Sequence, residues 1–106
     1  IWILQELCYL ELKRILEKEG FDVIEIYPGA AQDIWKIPRK QYGLMKLKEG
    51  LKKLGVKDLK NSMTGDELDA VSAAIVGNMY VEGNYLAIGD EREGLIILPR
   101  DNYKRH

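Results

Sequence analysis

The sequence predicts an α/β domain of parallel strands with helices packed on them, and three observations carry that prediction. Residues 22–27 and 94–99 are short, rich in β-branched residues and bounded by Gly or Pro, so both read as strands. The segment between them carries apolar residues at helical spacing. A connection from strand to strand through helices puts both strands parallel in one sheet. Two strands are too few for a stable sheet. Residues 1–106 are therefore expected to be the C-terminal half of a single domain, with the missing N-terminal strands preceding Ile1.

Each element has its own signal. Leu4, Leu7, Cys8, Leu12, Ile15 and Leu16 recur at helical spacing with Glu11, Lys13, Lys18 and Glu19 mostly between them, and Gly20 stops the run. This predicts a helix over about residues 3 to 19. Asp22 to Tyr27 follows as a strand ended by Pro28-Gly29, and Val23, Ile24 and Ile26 suit an inner strand covered on both faces. Ala30 to Arg39 reads as irregular or as a short helix, and Pro38 opens the next helical stretch. There Leu44, Leu47, Leu51 and Leu54 form one stripe, closed by Gly55. Lys46, Lys48, Glu49, Lys52 and Lys53 lie off it; they could contact phosphates, but a solvated helix face is the simpler reading. Thr64 and Glu67 have capping-box spacing and start a third helix that runs to Glu82-Gly83. That helix is apolar nearly all round, which predicts burial on more than one side. The second strand follows, and the tail Arg100 to His106 reads as solvated.

Composition excludes more than it assigns. At 46% hydrophobic and 31% charged, the chain can bury a core and keep a solvated surface. A net charge of −1 gives no global pull towards nucleic acid or an anionic membrane. Cys8 is the single cysteine, so no internal disulfide forms; it reads as a packed helix residue, and a reducing, cytoplasmic location is expected. No apolar run approaches the ~20 residues of a membrane span, so no membrane partner is expected. His106 is the only histidine and lies at the terminus, which leaves Ser-His or Cys-His catalysis without a base. Zinc spacings and phosphate-binding glycine loops are absent from the sequence.

Carboxylates remain. Glu25 interrupts an apolar strand near its carboxyl end, where open α/β sheets build their sites. A carboxylate there is costly unless it is paired or binds metal, although an edge position or an ion pair would also explain it. Asp69 lies in the first two turns of the third helix, with Ala73 and Gly77 following on nearly the same side. Those small residues allow close approach to the sheet, while the plainer reading is an acid near a positive helix end. Glu67 reads as a cap and Asp66 as a first-turn acid; Asp33, Trp35 and Arg39 lie in the loop after the strand and could line a groove.

Four segments then bear a resemblance. They are residues 23–30 (Val-Ile-Glu-Ile-Tyr-Pro-Gly-Ala), Ile37-Pro38-Arg39-Lys40, residues 64–70 (Thr-Gly-Asp-Glu-Leu-Asp-Ala) with Ala73-Ala74, and residues 89–99. In their order and spacing the chain resembles the C-terminal half of a domain-of-unknown-function family of predicted nucleases with a ribonuclease-H-like fold. The resemblance implies an α/β ribonuclease-H-like domain and metal-dependent phosphodiester hydrolysis with two Mg²⁺ or Mn²⁺ ions. It implies Glu25 and Asp69 as catalytic and metal-binding residues, with a further Asp on a strand upstream of Ile1. Where that family often carries histidine before this helix start, the chain has Gly65-Asp66. Nucleic acid is the implied partner. The competing expectation is a non-catalytic ribonuclease-H-like binding or oligomerisation module. Uncovered apolar sheet edges also predict a homo-oligomer.

Overall fold

A computed structural model describes residues 2–4, 9–90 and 94–100. The elements run β1 (Trp2–Leu4), α1 (Tyr9–Lys18), β2 (Val23–Ile26), α2 (Pro28–Ile34), a 3₁₀ turn (Lys40–Tyr42), α3 (Leu44–Lys53), α4 (Gly65–Glu82), β3 (Tyr85–Asp90) and β4 (Gly94–Pro99). They form a small α/β domain around one mixed sheet of order β1-β2-β4-β3. β2 and β4 are parallel, with Glu25 beside Ile96 and Ile26 beside Ile97, as the crossover argument predicts. β3 is antiparallel to β4, with Leu86 opposite Leu98 and Ile88 opposite Ile96.

The structure departs from the sequence expectation at β1, at α1, at Pro38 and at β3, a strand that the pattern does not announce. Among the described residues of the predicted helix over residues 3 to 19, Tyr9–Lys18 is helical, whereas Trp2–Leu4 is a parallel strand paired with β2. Pairing there satisfies backbone groups of β2 that would otherwise face solvent. The Cys8 and Arg100–His106 tail expectations fall, except for Arg100, outside the described residues. The segment after β2 is a helix, with Pro28 in its first turn and Tyr27 extended before it, as a residue preceding proline prefers. Lys36 takes the left-handed conformation (φ 62°), and the Ile37 N–H donates to the Gln32 carbonyl (2.8 Å), closing α2 with a Schellman motif. Pro38 stays outside any helix, and α3 begins six residues later.

Two clusters make the core. Ile24, Ile26 and Ile97 of the sheet pack with Ala31 of α2 and with Ala73 and Val76 of α4. Ile37, Leu47, Leu51 and Leu68 form the second, between α3 and α4. Trp35 packs against both. α4 therefore buries one side on the sheet and another on α3, as its apolar sequence predicts. At Gly50 an added Cβ would lie 2.5 Å from Ile37 Cγ2, so this glycine lets α3 close on the loop.

The start of α4 is fixed by its cap. The Thr64 hydroxyl accepts from the Glu67 N–H (3.1 Å), and the Glu67 carboxylate accepts from the Thr64 N–H (3.0 Å). Thr64→Ala is expected to cost about 1 kcal/mol in urea unfolding. The backbone bond from Thr64, aided by its side chain, holds the Glu67 carboxyl below its ordinary value of 4.5. The sign follows: this contribution is complete above pH 4.5 and fades as pH falls through the lower folded-state value. Parent and Glu67→Ala stabilities should thus converge on acidification, because that variant removes the titrating acceptor of the Thr64 N–H, and a constant difference down to strong acid would disprove the carboxylate's part in the cap.

Candidate functional site

A polar cavity of about 580 Å³ opens where β2 ends. α2 and its N-cap supply Tyr27, Pro28, Gly29 and Gln32, the following segment Arg39 to Gln41, and the start of α4 Asp66 and Asp69. Tertiary packing makes this neighbourhood: α2 and α4 both dock on the sheet, which brings Gln32 to Asp69.

Asp69 is the best-anchored group. Its side chain is only 20% exposed. Its Oδ1 accepts from Gln32 Nε2 (3.0 Å), and its Oδ2 lies 3.1 Å from Lys40 Nζ. Gln32 is buried and also donates to Ser72 Oγ (3.0 Å), which donates in turn to the Leu68 carbonyl (3.1 Å). A buried amide with its donors engaged fixes one carboxylate orientation. Lys40 Nζ also donates to Asp66 Oδ1 (2.7 Å), so one ammonium holds two carboxylates one helical turn apart. Their pairing pushes Lys40 up, with Asp66 as its largest cause, and holds Asp66 below the usual carboxylate range.

Arg39 forms the cavity's other cation. Its Nε donates to Asp33 Oδ1 (3.0 Å) and its Nη2 to Asp33 Oδ2. This bidentate pair lowers the Asp33 carboxyl and raises the guanidinium. Arg39 also lies over the Tyr27 ring, 5.7 Å from its centre. Two glycines leave room for these cations. A Cβ at Gly29 would meet the Arg39 guanidinium at 2.9 Å, and one at Gly65 would meet Lys40 Cδ at 2.8 Å.

The sequence-predicted pair is not brought together. β2 is an inner strand as expected, and Glu25 is half-buried between Leu4 and Ile96. Its neighbours Ile24 and Ile26 both face α4, packing with Ala73 and Val76. Side chains alternate along a strand, so Glu25 points to the opposite face of the sheet. Asp69 lies one turn before Ala73, on the α4 side. Glu25 accordingly does not line the cavity that holds Asp69, and the expected shared cleft of these two carboxylates is corrected. Asp66, Gln32 and Lys40 stand there instead. Asp66 had a sequence signal in its three-residue spacing from Asp69, which places both on one helix face. Gln32 had a weaker one, as a lone amide beside Ala30 and Ala31. Lys40 had none, because its approach depends on how α4 docks.

The donor set bears on a metal. Among the described residues no group of three or more His, Cys, Asp or Glu side chains is arranged to hold one. Asp66 and Asp69 nevertheless present oxygens that a single cation reaches together, as the Lys40 ammonium demonstrates. Mg²⁺ commonly takes one or two carboxylates and completes its shell with water and phosphate oxygens. The pair fits one such ion; a two-metal centre lacks ligands among the described residues. Also among the described residues, no helix is long and apolar enough to cross a membrane. Comparison with family models, with curated proteins and with solved structures returns no match.

Proposed function

We propose that this cavity is one wall of a metal-dependent nuclease site in a ribonuclease-H-like domain, with nucleic acid as substrate and Mg²⁺ or Mn²⁺ as cofactor. The carrying observation is the Lys40 ammonium seated between Asp66 and Asp69, a cation position built at the carboxyl end of a parallel strand pair. Asp66 and Asp69 would hold the metal, which supplies Lewis-acid stabilisation of phosphoryl oxygens and an acidified water. Gln32 orients Asp69 from beneath. Lys40, displaced from the acids, and Arg39 would balance charge on the phosphodiester. The parallel β2–β4 pair, the helical crossover and the acid-bearing α4 support the ribonuclease-H-like reading.

Three observations favour the second reading, a non-catalytic binding or oligomerisation module. Glu25 faces away from the cavity, and Lys40 already satisfies both acids. On β3, Leu86 (42% exposed) and Ile88 (52% exposed) are available for contact with another copy.

The test is cleavage of DNA and RNA by the intact protein with Mg²⁺ or Mn²⁺. Asp69→Asn is expected to lower the metal-dependent rate at least about 100-fold, in line with loss of a transition-state charge stabiliser, while circular dichroism stays unchanged. Loss of cleavage in Glu25→Gln with full activity in Asp66→Asn would transfer the second carboxylate to Glu25. A parent protein that never cleaves, yet is dimeric by light scattering, would establish the module reading.

A further inference from the structure

A second concavity, of about 290 Å³, lies between the end of α2 and the outer face of α3. Lys36, Lys46 and Lys53 line it together with Glu49, Trp35 and Gly50, which leaves three ammoniums against one carboxylate. Helical spacing puts Lys46, Glu49 and Lys53 on one face of α3. None of the three lysines has an ion pair among the described residues, whereas Lys48 on the same helix donates to the Asn61 carbonyl (2.8 Å). Like charges gathered around one hollow repel unless an anion joins them. Lys36 adds a second observation. It holds the left-handed position that ends α2, where glycine is the least strained residue, and so keeps an ammonium at the groove at some cost to the backbone. Trp35 keeps its buried Nε1–H without an acceptor among the described residues, a donor the fold does not use.

The groove and the Asp69 cavity share one short stretch of chain. Lys36 and Pro38 line the first, Arg39 and Lys40 the second. Around that ridge Tyr27 is 49% exposed and Tyr42 68% exposed, rings on which unpaired bases stack. We propose that the groove holds the phosphodiester backbone of a single-stranded nucleic acid, which continues across residues 36–40 into the Asp69 cavity. The inference rests on the nuclease reading for its ligand class. It adds the strand's path and its single-stranded form. Duplex bases are already stacked on one another and cannot use the exposed tyrosines.

The experiment measures affinity of the intact protein for a labelled single-stranded oligonucleotide, DNA and RNA in separate arms, against salt. Each phosphate contact adds about 0.7 to the salt slope for single strands. The triple variant Lys36→Gln/Lys46→Gln/Lys53→Gln should therefore lose about 2 from the slope, so that between about 50 and 200 mM salt the parent loses roughly 20-fold more affinity than the variant. A charge-matched control, Lys18→Gln/Lys52→Gln/Lys57→Gln, changes exposed lysines outside the groove and should keep most of the parent slope. Lys36→Gly separates binding from folding: it should melt higher than the parent yet lose about 0.7 from the slope. Equal slopes for the parent and the groove triple variant overturn the proposal. So does duplex binding as tight as single-strand binding, or binding to phosphatidylserine vesicles without binding to oligonucleotides. The two readings fail separately. If the slope falls as stated but nothing is cleaved, the groove stands and the nuclease reading falls; if Asp69→Asn stops cleavage while the groove variant keeps the parent slope, the groove falls.

Discussion

Gln32→Glu is expected to be the most damaging single-atom-scale change in the molecule. Gln32 is 1% exposed and gives its amide hydrogens to Asp69 Oδ1 and Ser72 Oγ, each at 3.0 Å. A carboxylate of the same shape cannot donate when ionised and would face Asp69 at hydrogen-bond distance. An uncompensated buried charge costs about 3–5 kcal/mol, whereas Gln32→Leu, which removes the donors without adding charge, should cost about 1–3 kcal/mol. The two variants also differ in pH dependence. The new carboxyl's folded-state pKa lies above its unfolded value of about 4.3. Between those two values the folded state binds the extra proton, so stability falls as pH rises, by up to about 1.4 kcal/mol per unit. Acid should therefore rescue Gln32→Glu relative to the parent, and Gln32→Leu should show no such rescue. Equal losses in both variants at every pH, measured by urea unfolding, would mean that Gln32 and Asp69 are not in contact.

Leu51→Ala should cost about 2–5 kcal/mol. Leu51 is fully buried beside Ile37, Leu47 and Leu68 in the cluster that ties α3 to α4. For a domain of this size each kcal/mol moves Tm by about 4–8 °C, so calorimetry would see the change plainly. Met45, 70% exposed on the same helix, is the control, and Met45→Ala should stay within about 0.5 kcal/mol. Leu51→Ala has a second readout. α3 leads out of the turn that carries Lys40, so a loosened α3 should weaken the hold of Lys40 on Asp66 and Asp69. A loss below 1 kcal/mol would show that α3 is not part of the cooperative core.

The parallel pairing of β2 with β4 and the capped start of α4 were legible because each rests on local pattern. A β-branched run needs a sheet, and Thr64 with Glu67 needs a helix end. β3 was not legible: Tyr85 to Ile88 is short, and Leu86, Ala87 and Ile88 stay exposed, so no core alternation marks it. β1 was absorbed into a helical pattern because Leu4, the last residue of the strand, falls in helical register with Leu12, Ile15 and Leu16 of α1 in a short window. Asp69 was found because small residues follow it at helical steps. The direction of Glu25 was hidden for a definite reason. β2 is apolar at Val23 as well as at Ile24 and Ile26, so the sequence does not tell which face meets α4. Gln32 and Lys40 act through partners 37 and 26 residues away, a relation that no local pattern encodes.

The insertion of α2, α3 and α4 between two neighbouring strands sets the order of assembly. Antiparallel β3 and β4 are separated by three residues in sequence, and hairpins in general close in about 1–10 μs. The pairing of Ile26 with Ile97 must instead close the entire helical segment, whose ordering entropy is lost before that contact rewards it. The centre of the sheet, and with it the cavity at the end of β2, therefore forms late, after the hairpin has made the surface on which β2 docks. Closure entropy grows only logarithmically, by about 0.6 kcal/mol per doubling of loop length. Lys57 and Asp58, exposed between core-packed Val56 and Leu59 in the segment that joins α3 to α4, are consequently where evolution or a protein engineer can lengthen this chain at least expense to the fold.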